Sequence, residues 1–319
     1  MKILYIYRDY MGRRKKYGEM MEVCGHKVKY LNILEKKIKN QIRAEHIKKY
    51  QPDIVWAYTP SYIQHKVISD DALGYMKQKN ILLVMYNTYF PDFSYTETLD
   101  VWRKIDYLFI HDKDMHNFLK KNNLNSYYVP LAFYPEQYYK TSSKKKYDVS
   151  FMGRSLTYLP PKKDKRAIYL KSLKNFNPMI FGKGFKGRLN GMKYEEYKGH
   201  EIQRKVYGQS KINLDLPFVN YKNSFYKNKI HWKNRTFEIP ATDNFLLTLR
   251  DEQFLEIFGE DTIGYYDDNI ESLKESVKKY LKDDKLRKKM SEKAYKLVHE
   301  KHTYLHRFKE MFKIIESNG

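Results

Sequence analysis

Glu238 is a carboxylate within an otherwise apolar helical pattern, in the stretch NRTFEIPATDNFLLTLRDEQFLEIF that runs from Asn234 to Phe258. A buried carboxylate costs free energy unless something binds it. An ionised carboxylate accepts hydrogen bonds, so this residue is a candidate for binding a ligand that carries donors. The alternative is an ion pair with Arg235, its neighbour at helical spacing.

Cations and glycines near the ends of predicted strands are candidates for holding a phosphate. Arg235 carries a planar, permanent cation whose forked donors suit phosphate, although a solvated Arg in a first helical turn is the alternative. Gly153 and Arg154 close a predicted strand, where a glycine lets backbone approach a phosphate. Gly182 opens the segment GKGFKGR, which is either a base or phosphate contact or only a mobile loop. Lys211 starts a strand and is a further candidate.

Titratable side chains in the loops of the first half are candidates for a general base. Such a base takes a proton from a reacting group. The candidates follow predicted strands and are Asp9, Asp92, His111 and Asp112. Each of them alone is more commonly a turn or capping residue, so the choice among them stays open.

The histidines make a poor case for a metal. His299, His302 and His306 have ligand-like spacing in HEKHTYLH, and Glu300 lies among them. The segment lacks the HExxH arrangement of a zinc site, and no pair of aspartates has the context of a metal-binding D-x-D motif. We therefore expect no obligatory metal and no other cofactor.

The composition indicates a globular protein with a strongly basic surface. The 319 residues are 42% hydrophobic and 16% aromatic, and 61 Lys and Arg against 38 Asp and Glu give a net charge of +23. Such a charge attracts polyanions, whether nucleic acid, anionic lipid or acidic glycan, although compositional bias of an AT-rich genome explains it equally well. We find no apolar run of bilayer-spanning length, no signal-peptide pattern and only one cysteine, Cys24, and expect a cytoplasmic protein.

Short runs rich in β-branched and aromatic residues alternate with helical stretches along the whole chain. This alternation predicts an α/β fold with parallel sheets and crossover helices. The polar, basic segment YYKTSSKKK (Tyr138–Lys146) interrupts the pattern, and we interpret it as a linker between two Rossmann-like units. The predicted domains are residues 1–140 and 147–303, followed by a C-terminal helix at 304–319.

The second half resembles GT-B glycosyltransferases, and more narrowly the group 1 relatives of the spore-maturation protein CgeB. The matching motifs are the stretch NRTFEIPATDNFLLT, the segment YYDDNIESL, the terminal HTYLHR, the strand YDVSFMGR and the strand SKINLDLP. The resemblance extends over about Tyr147–Phe312 and is weak before it. It implies two Rossmann-like domains with the site in the cleft between them, and a last helix that crosses back to the first domain.

The resemblance also implies roles for individual residues. Glu238 would bind the ribose hydroxyls of a nucleoside diphosphate sugar, which we expect to be a UDP-sugar. Position 230, where related enzymes carry a second glutamate, holds Ile230, so the contact with the sugar stays unassigned. The turn at Asp243 and Asn244, followed by Phe245, takes the place of a glycine-containing turn near the ligand.

The resemblance implies a glycosyltransferase, which we expect to be independent of metal, with a retaining mechanism slightly favoured. Arg154, Arg235 and Lys211 would stabilise the leaving diphosphate, and the first domain would hold the acceptor. The positive charge allows a polyanionic acceptor, either DNA or a surface polymer, and peripheral contact with an anionic membrane. The alternative is a catalytically inactive module of the same fold that binds nucleic acid or carbohydrate.

Overall fold

The computed structural model describes residues 1–8, 15–34, 41–59, 61–88, 95–141, 143–157, 159–196, 199–218 and 233–318. The chain divides into two compact units. Unit 1 consists of Met1–Leu131 together with Tyr304–Gly319, and unit 2 consists of Ala132–Thr303. The first unit is therefore discontinuous in sequence.

Unit 1 is built on a parallel sheet of six strands in the order β2-β1-β3-β4-β5-β6. The strands are β1 (Lys2–Tyr7), β2 (Lys27–Asn32), β3 (Ile54–Ala57), β4 (Leu82–Asn87), β5 (Tyr107–Ile110) and β6 (Ser126–Tyr128). The helices are α1 (Lys15–Val23), α2 (Ala44–Tyr50), α3 (Ser61–Gln64), α4 (Asp70–Gln78), α5 (Tyr95–Trp102), α6 (Lys113–Lys121) and α13 (Tyr304–Asn318). The central strands are buried on both faces, as continuous apolar runs such as IVWA in β3 predict.

Unit 2 repeats this plan with a second parallel sheet of six strands, in the order β12-β11-β10-β7-β8-β9. The strands are β7 (Tyr147–Met152), β8 (Met179–Phe181), β9 (Tyr194–Glu195), β10 (Ser210–Leu214), β11 (Leu246–Leu249) and β12 (Gly264–Tyr266). The helices are α7 (Lys165–Ser172), α8 (His200–Gln209), α9 (Arg235–Glu238), α10 (Glu252–Phe258), α11 (Ile270–Lys282) and α12 (Asp284–Lys301). Because the strands are parallel, their carboxyl ends lie together at one edge of the sheet, where α/β proteins usually bind ligands.

The last helix, α13, packs against the sheet of unit 1. The ring of Phe308 lies 5.5 Å from that of Trp56, and the ring of Tyr304 lies 5.3 Å from that of Tyr17. The buried Arg307 donates hydrogen bonds to the carbonyls of Pro130, at 2.9 Å, and Leu131. The arginine of the terminal HTYLHR motif therefore ties the helix to the end of the first unit.

The boundary between the units lies earlier than the predicted residue 140. Phe133 pairs with Thr303, and the hydroxyl of Tyr138 donates to the side chain of Gln203 at 2.8 Å. Lys140 forms an ion pair with Asp243 at 2.6 Å. These contacts are all within unit 2, so the segment that we interpreted as a linker is packed on the second unit instead.

Candidate functional site

The carboxyl edge of the second sheet brings together two glycines and an acid that belong to different strands. Gly153 directly follows β7, Gly182 follows β8, and Asp215 follows β10. Their positions are fixed by the sheet, since the backbone N–H of Gly153 donates to the carbonyl of Phe181 and that of Asp215 to the carbonyl of Leu247, both at 2.8 Å. A ligand at this edge would meet all three residues.

Asp215 is a fully buried carboxylate that holds Arg235. Its Oδ1 accepts a hydrogen bond from Nη1 of Arg235 at 3.3 Å, and the arginine side chain is 15% exposed. The hydroxyl of Tyr266 donates to the backbone carbonyl of Asp215 at 3.1 Å. Among the residues that the structure describes, Oδ2 of Asp215 has no hydrogen-bond partner. This buried oxygen can therefore accept a hydrogen bond from a ligand or from water.

Two further cations lie beside Asp215. The buried Arg166 donates from Nε to the carbonyl of Leu216 at 3.0 Å and from Nη1 to that of Arg154 at 2.8 Å. The partly buried Lys233 is two residues before Arg235. Burial lowers the pKa of Lys233 well below its ordinary value, and the charges of Arg166 and Arg235 lower it further, whereas Asp215 opposes them. We call Arg166, Asp215, Lys233 and Arg235 the charge cluster.

Gly153 and Gly182 have no room for a side chain, because the backbone of Gly182 lies close to that of Gly153, and Gly153 lies close to the guanidinium of Arg235. A Cβ on Gly182, whose φ is +150°, would lie 1.6 Å from the carbonyl oxygen of Gly153. A Cβ on Gly153 would lie 2.9 Å from Nη1 of Arg235. The two predicted glycines therefore have a steric role that positions the arginine.

The loop after Gly153 is fastened by a buried acid that the sequence did not reveal. Asp164 caps α7 and also accepts hydrogen bonds from the hydroxyl of Ser155, at 2.5 Å, and the backbone N–H of Leu156. Arg188 completes the network with an ion pair to Asp164 at 3.4 Å. Arg154 itself has an exposed side chain, so its predicted contact with phosphate stays a prediction.

Glu238 lies at the end of the single-turn helix α9, which begins beside Asp215. It is partly buried and follows Arg235 by three residues, a rise of about 4.5 Å along the helix. Its backbone N–H donates to the carbonyl of Asn234 at 2.9 Å, which orders the turn. The predicted ribose contact therefore lies within reach of the charge cluster.

Four predicted binding residues lie at the other edge of the sheet. Lys211 is near the amino end of β10 and forms an ion pair with Asp148 at 2.8 Å. Asp243, Asn244 and Phe245 precede β11 directly. A helix and the strand that follows it run in opposite directions, so the turn between them lies at the amino ends of the strands, away from Gly153, Gly182 and Asp215. The predicted contact of these four residues with the ligand stays a prediction.

The turn before β11 is stabilised by lysines instead. Asp243 has φ +58° and pairs with Lys140, and Oδ1 of the buried Asn244 accepts a hydrogen bond from Lys145 at 2.7 Å. Burial lowers the pKa of Lys145 to about 8, an effect that the charge of Arg287 reinforces. Phe245 is buried against Tyr280, with the ring centroids 4.7 Å apart.

We predict that Asp243→Asn leaves the affinity for a nucleotide sugar unchanged within about twofold, as expected for a site away from the ligand. Asn tolerates the left-handed backbone of this position, so the substitution tests the charge alone. The measurement is calorimetric titration of both proteins with the same ligand. A tenfold loss of affinity would show that the turn contributes to ligand binding.

In unit 1, His111 directly follows β5 and is almost fully buried. Its Nδ1 lies 3.0 Å from the carbonyl of Asn87, an acceptor, so Nδ1 carries the proton in the neutral ring and the lone pair is on Nε2. Asp112 caps α6 by accepting a hydrogen bond from the N–H of Met115 at 2.7 Å. Asp9 and Asp92 lie outside the described residues. The role of His111 as a base stays a prediction.

The three histidines of the HEKHTYLH segment have structural surroundings. Nε2 of His299 bonds to the carbonyl of Ala241 at 3.1 Å, and the ring of His302 lies 5.5 Å from that of Phe237. His306 belongs to α13 of unit 1. In the described parts of the chain, no group of three His, Cys, Asp or Glu side chains is arranged to hold a metal ion.

Two Rossmann-like units with parallel sheets define the fold as GT-B, and solved structures of this class match nearly the whole chain. Sucrose-phosphate synthase from Thermosynechococcus elongatus superposes with a TM-score of 0.70 at 8% identity, over 99% of this chain and 98% of that one. HepE from Anabaena in complex with UDP-glucose gives 0.68 at 10% identity, over 99% and 100%. A trehalose-6-phosphate synthase, studied for glycosyl transfer with retention, gives 0.65 at 8% identity, over 100% and 99%.

The sequence comparison agrees with the fold. Residues 165–313 match the family described as Glycosyl transferase-like, and the whole charge cluster lies within this region. The family match confirms the resemblance to glycosyltransferases over these residues, and the solved structures confirm the GT-B fold. A comparison with curated protein sequences gave no match. Within the described residues, the helices are too short or too polar to cross a lipid bilayer.

Proposed function

We propose that the protein transfers a sugar from a nucleoside diphosphate sugar to an acceptor hydroxyl. The observation that carries the proposal is the charge cluster, in which three cations surround one buried carboxylate at the carboxyl edge of the second sheet. The diphosphate of a nucleotide sugar has one negative charge on each phosphate and complements such a site. The similarity to HepE, which was solved with UDP-glucose, supports a UDP-sugar as the donor.

Each residue at this edge has a distinct task in the proposed reaction. Arg235, held by Asp215, stabilises the charge that develops on the diphosphate as the bond to the sugar breaks. Glu238 accepts hydrogen bonds from the ribose hydroxyls and thereby fixes the nucleotide. Gly153 and Gly182 leave the space in which the guanidinium and a phosphate can meet. Arg154 is close enough in sequence to add a further contact to phosphate.

We further propose a retaining mechanism without an obligatory metal or cofactor. In such a mechanism the leaving diphosphate itself accepts the proton of the acceptor hydroxyl, so no carboxylate or histidine base is required. The similarity to a trehalose-6-phosphate synthase that transfers with retention supports this choice. NMR of the product anomer tests this mechanism. An inverted anomer would require a general base, for which His111, Asp9 and Asp92 are the candidates.

A donor panel tests the proposed function directly. UDP-, GDP- and ADP-sugars are added to the protein, with and without EDTA, and thermal stabilisation and slow donor hydrolysis are measured. We expect one nucleotide to raise the melting temperature and to be hydrolysed. Binding without hydrolysis or transfer would favour the alternative, a catalytically inactive binding module, and the absence of any binding would contradict the donor site.

We predict that Glu238→Ala weakens the binding of that donor by about 1–3 kcal/mol, the usual loss for a charged hydrogen bond. Glu238→Gln should recover part of the loss, because an amide oxygen still accepts a hydrogen bond. Calorimetric titration with the nucleoside diphosphate alone provides the measurement. If the two variants bind like the parent protein, Glu238 does not contact the nucleotide.

We argue the chemical class of the acceptor from the net charge of the protein. A net charge of +23 supports a polyanionic acceptor, and both DNA and an anionic surface polymer fit it. Incubation with radiolabelled donor and either DNA or a crude envelope fraction distinguishes them. Incorporation into DNA that falls steeply with salt would favour the first, and incorporation only into the polymer would favour the second.

A further inference from the structure

Two loops at the carboxyl edge of the second sheet are bonded to each other. The first loop consists of residues 153–157, directly after β7, and the second loop of residues 182–189, directly after β8. The backbone N–H of Ser155 in the first loop donates a hydrogen bond to the carbonyl of Lys183 in the second loop at 2.9 Å. The position of one loop therefore depends on that of the other.

Asp164 and Arg188 join the two loops a second time. Oδ2 of Asp164 accepts hydrogen bonds from the hydroxyl of Ser155, at 2.5 Å, and from the backbone N–H of Leu156, at 3.1 Å, both in the first loop. From the second loop, Nη1 of Arg188 donates to the same oxygen at 3.4 Å. Nη2 of Arg188 donates to the carbonyl of Thr157 at 3.3 Å. We call Asp164 and Arg188 the loop lock.

The capping of α7 by Asp164 requires neither its burial nor these additional donors. Its Oδ1 makes the capping bond, with the N–H of Ala167 at 3.2 Å. Asp283 caps α12 in the same way, with the N–H of Leu286 at 2.8 Å, and its side chain is exposed. Asp164 is fully buried, and burial of a carboxylate costs free energy that a helix cap does not require. We attribute this difference to the two loops.

The first loop holds Arg154 beside the charge cluster. Arg154 is exposed between the buried residues Gly153 and Ser155, and its carbonyl accepts a hydrogen bond from Nη1 of Arg166 at 2.8 Å. Its backbone N–H donates to no group in the part of the chain that the structure describes. A Cβ on Gly153 would lie 2.9 Å from Nη1 of Arg235. The N–H and the guanidinium of Arg154 are thus donors for a ligand, next to the residue that contacts Arg235.

We propose that Asp164 is a positioning residue of the donor site, which locks the two loops together so that the N–H and the guanidinium of Arg154 meet the diphosphate beside Arg235. This proposal rests on the proposed function, because that function assigns the diphosphate to this edge of the sheet. Donor groups that are held in place before binding lose less entropy when the ligand arrives. If the locked arrangement is only a fraction of the population, the apparent affinity falls by that fraction.

The first experiment measures hydrogen exchange in the free protein and needs no donor. The amide of Ser155 is the reporter, because its acceptor, the carbonyl of Lys183, is unaltered in Asp164→Asn. We expect this amide to exchange about tenfold faster or more in the variant, as after the loss of a charged hydrogen bond, whereas the amide of Asp215 within the sheet keeps its rate. Asp283→Asn, the same change at another helix cap, should alter neither amide. An unchanged rate at Ser155 in Asp164→Asn would overturn the proposal.

The second experiment separates positioning from general stability. Calorimetric titration with UDP and the kinetics of UDP-glucose hydrolysis, or the same pair for the donor that the panel selects, are compared between variants. In Asp164→Asn we expect Kd and KM to rise about tenfold and kcat to change less than about threefold, because saturating donor locks the loops again. Val298→Ala, which leaves a cavity in the buried face of α12, should lower the melting temperature and keep KM. Unchanged affinity in Asp164→Asn, or an equal rise of KM in Val298→Ala, would overturn the proposal.

Two further variants test the loop lock even if Asp164→Asn folds poorly. Ser155→Ala removes one hydrogen bond to Asp164 and should raise KM in the same direction by a smaller factor. Arg188→Met removes the bonds from the second loop, and together with Asp164→Asn it should weaken donor binding no more than the stronger single variant. Additive losses would show that the two residues act separately and would overturn the proposal. If no donor binds, the proposed function fails, whereas the exchange rate at Ser155 still decides whether Asp164 joins the loops.

Discussion

Arg235→Ala is expected to lower turnover about a hundred- to thousandfold, the range observed when a side chain that stabilises transition-state charge is removed. Donor affinity should fall less, about tenfold, because the guanidinium also contacts the bound diphosphate before the sugar leaves. Steady-state kinetics and calorimetric titration of the same preparations give the two quantities. A loss of donor affinity with unchanged turnover would mean that Arg235 contributes only to binding.

Two companion variants show whether the loss comes from the chemistry or from folding. Arg235→Lys keeps the positive charge but loses the paired donors of the guanidinium, so it should restore donor affinity more than turnover. Arg235→Ala alone leaves Asp215 as a buried carboxylate that has lost its ion pair, which destabilises the protein. The double variant with Asp215→Asn removes this cost, and we expect it to melt like the parent protein while turnover stays low. Turnover that recovers with stability would refute the catalytic role.

Gly182→Ala is expected to destabilise unit 2 by about 2–6 kcal/mol, since it combines backbone strain with overpacking of about 1–3 kcal/mol each. The new Cβ would collide with the carbonyl of Gly153, and the movement of Gly153 would displace Arg235. Donor binding should therefore weaken even under conditions where the variant is folded. Urea denaturation followed by circular dichroism measures the first effect, and calorimetry measures the second.

Other glycines provide controls that separate the two causes. Gly187 has φ +69° but open space around its Cα, so Gly187→Ala should cost only the strain of the left-handed backbone, about 1–2 kcal/mol. Gly74 lies inside helix α4 with an ordinary φ and open space, so Gly74→Ala should stabilise the protein by up to about 1 kcal/mol. A Gly182→Ala variant as stable as the parent would show that the loop after β8 can move away from Gly153.

The fold was predictable because it depends on patterns that are local in sequence. Each apolar run in the first half, such as the one at β3, became a strand, and the restart of the pattern near Tyr147 located the second sheet. The two-residue strand β9 and helix α8 were missed, because a strand of two residues has no period and α8 carries only a few buried side chains. Element existence follows from periodicity, whereas a boundary such as that at Leu131 depends on contacts between distant residues.

The site was predictable only in part, since a cluster of charges is a property of the folded chain. Arg235, Gly153 and Gly182 were identified from their types and positions, and the structure brings them together. Asp215 was missed, although one weak signal existed, namely a single acid directly after a buried strand. Arg166 lies inside a helix, and nothing in its neighbourhood distinguishes it from the other basic residues of the chain.

Lys211 and the turn before β11 lie away from the other predicted site residues for one physical reason. Sequence motifs give the order of residues, but the edge of a parallel sheet at which a residue lies depends on whether it precedes or follows its strand. Lys211, at the start of β10, lies at the amino edge, whereas Asp215, at its end, lies at the ligand edge. Assigning residues to strand ends before assigning roles would have separated these residues from Gly153, Gly182 and Asp215.

The contribution of α13 to unit 1 has a consequence for the order in which the nascent chain folds. Domains generally fold as they leave the ribosome, with the N-terminal one first. Here the rings of Tyr17 and Trp56 pack against those of Tyr304 and Phe308. These two residues are translated only after the whole of unit 2, so the contacts form late. The second unit can therefore complete its core during translation, while this aromatic surface of the first unit is covered only after the last helix has been made.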